Sequence, residues 1–270
     1  MTTDYRSVLG IDAAWTDRRP SGIALAAENE SGWRLVAADS SYAEFLARPS
    51  ESSSEPSVAG QPANPAKLIS LCERLCGVAP AVVAVDMPLS REKICGRRVS
   101  DIGVSRAFAA KKCATHSPSV MRPGRVSDQM RADFEAAGYH LWTADRGPTP
   151  ALFEVYPHPA LLALTNADQR LEYKTAKTLT YWPREPLAVR KRKLFDVWMR
   201  IGAALDAEIA GVAAAIPLPA ESTVGRALKA YEDRLDAIVC AWCAICALQG
   251  RAKAYGDAVS AIWIPTAERG

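Results

Sequence analysis

The sequence predicts an α/β fold, one domain over residues 1–270, built on a mixed sheet. Three observations carry this. Short β-compatible segments follow one another closely at the start: "SVLGIDAAW" (7–15), then "SGIALAAE" and "GWRLVAAD", each with Gly at its opening. Tight connections between them suggest an antiparallel meander. "AVVAVDMPL" (81–89) then reads as a central strand buried on both faces, and Pro88 stops it because it cannot extend a ladder. Later strand-like segments alternate with helical patterns, the arrangement of an α/β sheet with parallel strands.

The remaining elements follow in order. "RPSESSSEPSVAGQPANP" (48–65) is a Ser/Pro-rich loop. "PAKLISLCERLCGV" places Leu68, Leu71, Cys72 and Leu75 at helical spacing. Residues 90–150, rich in Arg, Lys, Gly and Pro, read as an insertion over the core. They hold one helix, "SDQMRADFEAAGY", with Ser127 as its cap and Met130, Phe134 and Ala137 on one face. "ALFEVYPHP" (151–159) returns to strand character, and "PALLALT" is a short helix. Helical patterning resumes over 187–215 and again from near Thr223, and "SAIWIPT" reads as a last short strand.

Composition narrows the class. With 49% hydrophobic and 23% charged residues, the chain can bury a sizeable core. A net charge of +3 permits nucleic acid as a partner without arguing for it. The first residues lack the basic-then-apolar order of a secretory signal, and no apolar run approaches the roughly 20 residues of a membrane span. Seven cysteines, an odd number, point to reduced thiols in the cytoplasm. Cys240, Cys243 and Cys246 drift around a helix among Ala, Ile and Trp, so they read as small core residues rather than zinc ligands. A homodimer is expected if some of the tryptophans are exposed.

The acids are more informative. Asp12 ends the first strand, Asp86 ends the buried fourth run, and Glu154 sits near the end of "FEVYP". Functional groups in open α/β sheets gather outside the carboxyl ends of strands. In "YEDRLDAIVCAWCAICAL", Asp233 and Asp236 stand three apart on a helix whose apolar stripe is Leu228, Tyr231, Leu235, Ile238, Trp242 and Ile245. Asp236 falls on the margin of that stripe, and Asp233 lies further round, toward solvent. Carboxylates forced together repel one another and take up protons, unless a cation meets them. Mg²⁺ or Mn²⁺ suits oxygen ligands, and two such ions can clamp the attacking and leaving oxygens of a phosphodiester. Each acid also has a structural alternative. A lone Asp after a strand serves as a turn or helix cap, Asp233 can pair with Arg234, Lys229 or Arg226, and Glu154 can pair with one of many arginines.

Phosphate contacts have candidates in the 90–150 region: "GRR" (96–98), Arg106, Lys111, Lys112 and "MRPGR", where Arg122 and Arg125 flank a turn. A solvated basic loop is the equal alternative. "VRKRKLF" (189–195), the densest basic run, reads as the solvated face of a helix.

"VLGIDAAW", "AVDMPL", "FEVYPHPAL" and "YEDRLDAIVCAWCA" together resemble the bacterial and archaeal family of domains of unknown function described as predicted nucleases of the RNase H fold. The last of these is similar to the final helix of RuvC-like proteins. The resemblance covers most of the chain and implies a ribonuclease H-like fold, a five-stranded mixed sheet flanked by helices. It also implies a metal-binding acidic cluster that maps onto Asp12, Asp86, Asp233 and Asp236. Glu154 lies in the family's "E-V-Y-P" motif, and Lys174 in "EYKT" resembles a "Y-K" element that could meet a phosphate.

The expectation is therefore a nuclease using Mg²⁺ or Mn²⁺ in a two-metal mechanism on DNA or RNA. Its catalytic residues are Asp12, Asp86, Asp233, Asp236 and Glu154, its metal ligands Asp12, Asp86 and Asp236, and its substrate contacts Arg106, Arg122, Arg125 and Lys174. A non-catalytic binding module on the same fold is the alternative. A nucleotide-dependent phosphotransferase is a third, disfavoured by the absence of Gly-rich phosphate loops and of a repeated half.

Overall fold

The computed structural model describes residues 5–16, 18–48 and 60–266. Most of the Ser/Pro-rich segment, residues 49–59, lies outside the described residues. The chain opens with the expected meander, β1 (Ser7–Asp12), β2 (Gly22–Asn29) and β3 (Gly32–Asp39), all antiparallel. Two helices follow, α1 (Tyr42–Ala47) and α2 (Pro65–Cys76). The start of α2 is set by Asn64, whose side chain accepts from the Lys67 N–H, and by Pro65 in the first turn; Gly77, at φ 77°, ends it. Strand β4 (Pro80–Val85) then pairs parallel to β1.

The region between β4 and β6 contributes α3 (Val99–Phe108), α4 (Arg125–Ala136) and the two-residue β5 (His140–Leu141). Strand β6 (Ala151–Val155) adds parallel to β4 and leads into α5 (Pro157–Thr165). A short α6 (Thr178–Tyr181), the long α7 (Leu187–Glu208) and α8 (Val212–Ala215) precede α9 (Arg226–Leu248). A final hairpin, β7 (Ala252–Gly256) and β8 (Ala261–Pro265), completes the sheet, with β8 parallel to β6.

Among the described residues the fold is a mixed α/β sheet flanked by helices, in the order β3-β2-β1-β4-β6-β8-β7, with β5 also paired to β6. It has eight strands, not the five expected. Of the three further strands, β8 is the "SAIWIPT" segment already read as a strand, whereas β5, two residues long, and β7, the weakly apolar "AKAYG", gave little strand signal.

Strand alternation divides the core. Val8, Val82, Ala84, Phe153 and Val155 pack on one face with α9, α7 and α5. Leu9, Ile11, Val83, Val85 and Leu152 pack on the other with α1, α2 and α4. On that second side α3 covers β8 through Val104, Ile262 and Ile264. Contact between α9 and the sheet is unusually close at Gly10. A Cβ there would lie 2.2 Å from the Ala241 nitrogen and 2.3 Å from the Ala237 oxygen. Gly22, the β2 partner of Asp12, meets the Asp233 carbonyl oxygen in the same way at 2.2 Å. These two glycines bring the helix backbone down onto β1 and β2.

Three expectations change. Ser127 does not cap α4: the helix begins after Gly124, and the buried Ser127 hydroxyl donates to the Gly124 carbonyl at 3.2 Å. Asp233 does not face solvent but is 6% exposed, because α9 is covered on more than its apolar stripe. None of the seven tryptophans is exposed, which removes the basis for expecting a homodimer. The cysteines on α9 are buried core residues, and burial raises their thiol pKa values. Among the described residues, no helix is long and apolar enough to cross a membrane.

Candidate functional site

Register and alternation place the first two acids. Ile11 pairs with Val85, and the Asp86 N–H donates to the Ile11 carbonyl at 2.9 Å, so Asp12 and Asp86 leave adjacent parallel strands at the same level. Asp12 shares the parity of Val8 and Gly10, and Asp86 that of Val82 and Ala84. Both therefore emerge on the α9 side. From that side comes Asp236, fully buried, and the three carboxyls sense one another's charge. The structure thus gathers Asp12, Asp86 and Asp236 at the carboxyl end of β1 and β4.

Glu154 lies close enough for its charge to reach Asp86, but it is already paired. With the parity of Leu152, it emerges on the opposite face of the sheet. There it accepts two hydrogen bonds from Arg98, at 2.6 and 2.8 Å, and one from the Leu89 N–H at 2.8 Å. Arg98 also grips Asp101 in the first turn of α3. This paired, buried Glu154 ties the segment after β4 to the sheet. Burial raises its carboxyl to about 7 even against the pull of Arg98.

The helix acids are met by lysines. Asp236 accepts from the Tyr173 hydroxyl at 2.7 Å on Oδ1 and from the Lys174 ammonium on Oδ2. Lys174 also lies 3.6 Å from Glu232. Glu232 accepts from the Thr175 N–H at 2.7 Å, the Thr175 hydroxyl at 2.8 Å and Lys229 at 2.9 Å, and Lys229 also holds Asp233. Burial works against the Lys174 charge, but Asp236, Glu232 and Asp12 outweigh it and hold its pKa well above the ordinary value. Tyr173, Thr175, Lys229 and Glu232 were not among the expected site residues. Tyr173 and Thr175 are revealed only by their position across the fold, whereas Lys229 and Glu232 are local to α9, and Lys229 is one of the pairing candidates that the sequence offers Asp233.

Asp12 and Asp86 differ from the helix acids. Both are half-buried, and among the described residues neither accepts a hydrogen bond or pairs with a base. Burial pushes Asp12 up to about 6, partly offset by Lys174. Asp86 lies well above its ordinary value, through burial and then through the charge of Asp12. Taken together, five carboxyls (Asp12, Asp86, Glu232, Asp233, Asp236) face two ammonium groups (Lys174, Lys229), a shortage of positive charge when all are ionised.

This donor set suits a divalent cation held with help. Among the described residues no three His, Cys, Asp or Glu side chains form a group able to hold a metal alone. Mg²⁺ commonly binds through one or two carboxylates together with substrate phosphates, and Asp12 and Asp86 offer two. Beside them, Asp86, Trp15, His116, Glu154 and Tyr156 line a recess of about 40 Å³. Arg122 lies over the Trp15 ring at 5.8 Å, which brings it to this rim. Arg170 and Lys177 stand near enough, with Arg122, to lower the pKa of His116, although burial lowers it most. Arg106 and Arg125 are exposed, and nothing ties either to the acids.

A family model described as "Protein of unknown function (DUF429)" matches residues 10–260. The chain belongs to that family. No curated protein and no solved structure matches it. The DUF429 match takes in every residue of the cluster, from Asp12 on β1 to Asp236 on α9.

The cluster makes stability depend on pH. In an unfolded chain these aspartates titrate near 4. In the folded DUF429 chain Asp12, Asp233 and Asp236 are raised to about 6, burial being the main cause. Between those values the native state binds more protons, so their contribution is full at low pH and is lost as pH rises through about 6. Glu232, depressed by Lys174 and Lys229 despite burial, contributes in the opposite sense and loses its share under more acid conditions. The protein is expected to melt at a higher temperature at pH 5 than at pH 7.5. Melting curves that coincide at the two pH values would contradict the electrostatic account.

Proposed function

We propose that this chain is a metal-dependent phosphodiesterase acting on nucleic acid, on a ribonuclease H-like core. The observation that carries the reading is the pair of unpaired, half-buried carboxylates, Asp12 and Asp86, on adjacent parallel strand ends. Two carboxylates held together with no hydrogen bond or ion pair of their own are costly to ionise, and a divalent cation arriving between them would offset that cost. The order β3-β2-β1-β4-β6 supports the fold assignment, since these five strands make a mixed sheet of the kind the family resemblance implies; β8, β7 and β5 extend it.

Asp12 and Asp86 would hold the cation. When bound, Mg²⁺ or Mn²⁺ supplies Lewis acidity and makes a water more acidic. The chain's own groups do the rest. Lys174, fixed by Asp236, presents a permanent positive charge beside the two free carboxylates, suited to a phosphate oxygen. Arg122, at the rim over Trp15, is placed to take a neighbouring phosphate and so set where the strand lies. A binding module without catalysis is the second reading, favoured by the way lysines already meet the three acids of α9.

Purified protein incubated with single-stranded, duplex and branched DNA and RNA separates these readings. Cleavage that requires Mn²⁺ or Mg²⁺ and stops on chelation is expected. Retention of nucleic acid in gel-shift assays, with no cleavage under any metal, would instead establish the module.

A further inference from the structure

We propose that Lys174 takes the place of a second divalent ion, so that the site accepts one Mg²⁺ or Mn²⁺, on Asp12 and Asp86, while Asp236 serves as the anchor of Lys174 and not as a metal ligand. The inference rests on the metal-dependent reading above and replaces its two-ion form.

Every carboxylate that α9 offers is already occupied. Asp236 is fully buried, with one oxygen on the Tyr173 hydroxyl and the other on Lys174. Glu232 has one oxygen on the Thr175 N–H and hydroxyl and the other on Lys229. Asp233 is held by Lys229. A second ion between α9 and the strand ends would have to displace an ammonium from Asp236 and then share the space with it. Like charges in a half-buried site oppose that.

The segment carrying Lys174 is firmly docked. Tyr173 is fully buried, its carbonyl accepts from the Trp198 indole N–H at 2.9 Å, and its ring meets His158 edge-on at 5.5 Å. With Thr175 bound to Glu232 on the next position, residues 173–175 form a strap across α9 that aims the ammonium at the cluster. A lysine that merely neutralised Asp236 would need no such strap. Here the charge is fixed at a defined point, as a bound ion's would be.

The experiment counts Mn²⁺ by electron paramagnetic resonance and calorimetry, without reference to activity. Wild type is expected to bind one ion per chain. Asp236→Asn keeps the shape of the anchor and is expected to bind one ion with a clearly smaller loss of affinity than Asp12→Asn, which removes a direct ligand; because groups beyond the ligands can themselves cost about 10–100-fold, the comparison of the two variants is the readout. Lys174→Met opens the α9 carboxylates and is expected to admit a second ion; if it does not fold, the Asp236→Asn comparison decides. Two ions in wild type, a loss in Asp236→Asn as large as in Asp12→Asn, or a single ion in folded Lys174→Met each overturns the inference and leaves the metal-dependent reading standing. No ion in wild type or any variant discards both.

Discussion

Gly10→Ala is expected to destabilise the fold by about 3 kcal/mol or more, the upper end of overpacking penalties. The added methyl has nowhere to go. Its nearest neighbours, at 2.2 and 2.3 Å, are main-chain atoms of Ala241 and Ala237 in the middle of α9, and a helix backbone cannot rotate aside as a side chain can. The helix must lift from β1, which opens the core on that face and draws Asp236 away from Asp12. A denaturant titration reads the first effect. The second shows as a drop in Mn²⁺ protection against heat. Gly202, in α7, provides the control: nothing lies within 4 Å of its Cβ position, so Gly202→Ala is expected to be neutral or stabilising by about 0.5–1 kcal/mol. Equal behaviour of the two variants would refute the close contact at Gly10.

Asp86→Asn is expected to lower metal-supported cleavage by roughly 10²–10³-fold, the usual loss when one electrostatic element of a site is removed. Stability should move the other way. The native pKa of Asp86 is raised by burial and by Asp12, so the apo fold disfavours its ionised form more than the unfolded chain does, and an uncharged amide removes that cost. Many functional residues show this opposition, because what a reaction requires is often what folding would avoid. A variant that loses cleavage while melting at a higher temperature without metal fits the proposal. Loss of cleavage with loss of stability would point instead to a structural Asp86.

Much of this arrangement can be read from the chain. The apolar run 81–89, the strand-like ends at Asp12 and Asp86, and the stripe on α9 all reflect local rules, and local rules survive folding. Asp12, Asp86 and Asp236 could be chosen because each sits where a strand or a helix margin meets a cleft. The misses share a different cause. Asp233 looked solvent-facing because one helical stripe predicts one buried side, whereas α9 is buried on further sides by elements distant in sequence. Glu154 looked like a fifth acid of the cluster because it, too, ends a strand. One residue of register sends it through the sheet to Arg98. A carboxylate and its base 56 positions apart leave no mark in either local pattern. Tyr173 and Thr175 are invisible for the same reason, and β7 because "AKAYG" becomes a strand only once β8 supplies a neighbour; Lys229, four positions from Asp233 on one helix, was legible as its partner.

The dovetail at Gly10 and Gly22 has a bearing on how the protein is made. During synthesis β1 leaves the ribosome long before α9, so its smooth, side-chain-free patch waits uncovered while the intervening residues are translated. Until the helix arrives, the early strands cannot finish their packing and the aspartates cannot meet. A growing polypeptide therefore carries the acids of the cluster unassembled, and the site is complete only with the late closing contact.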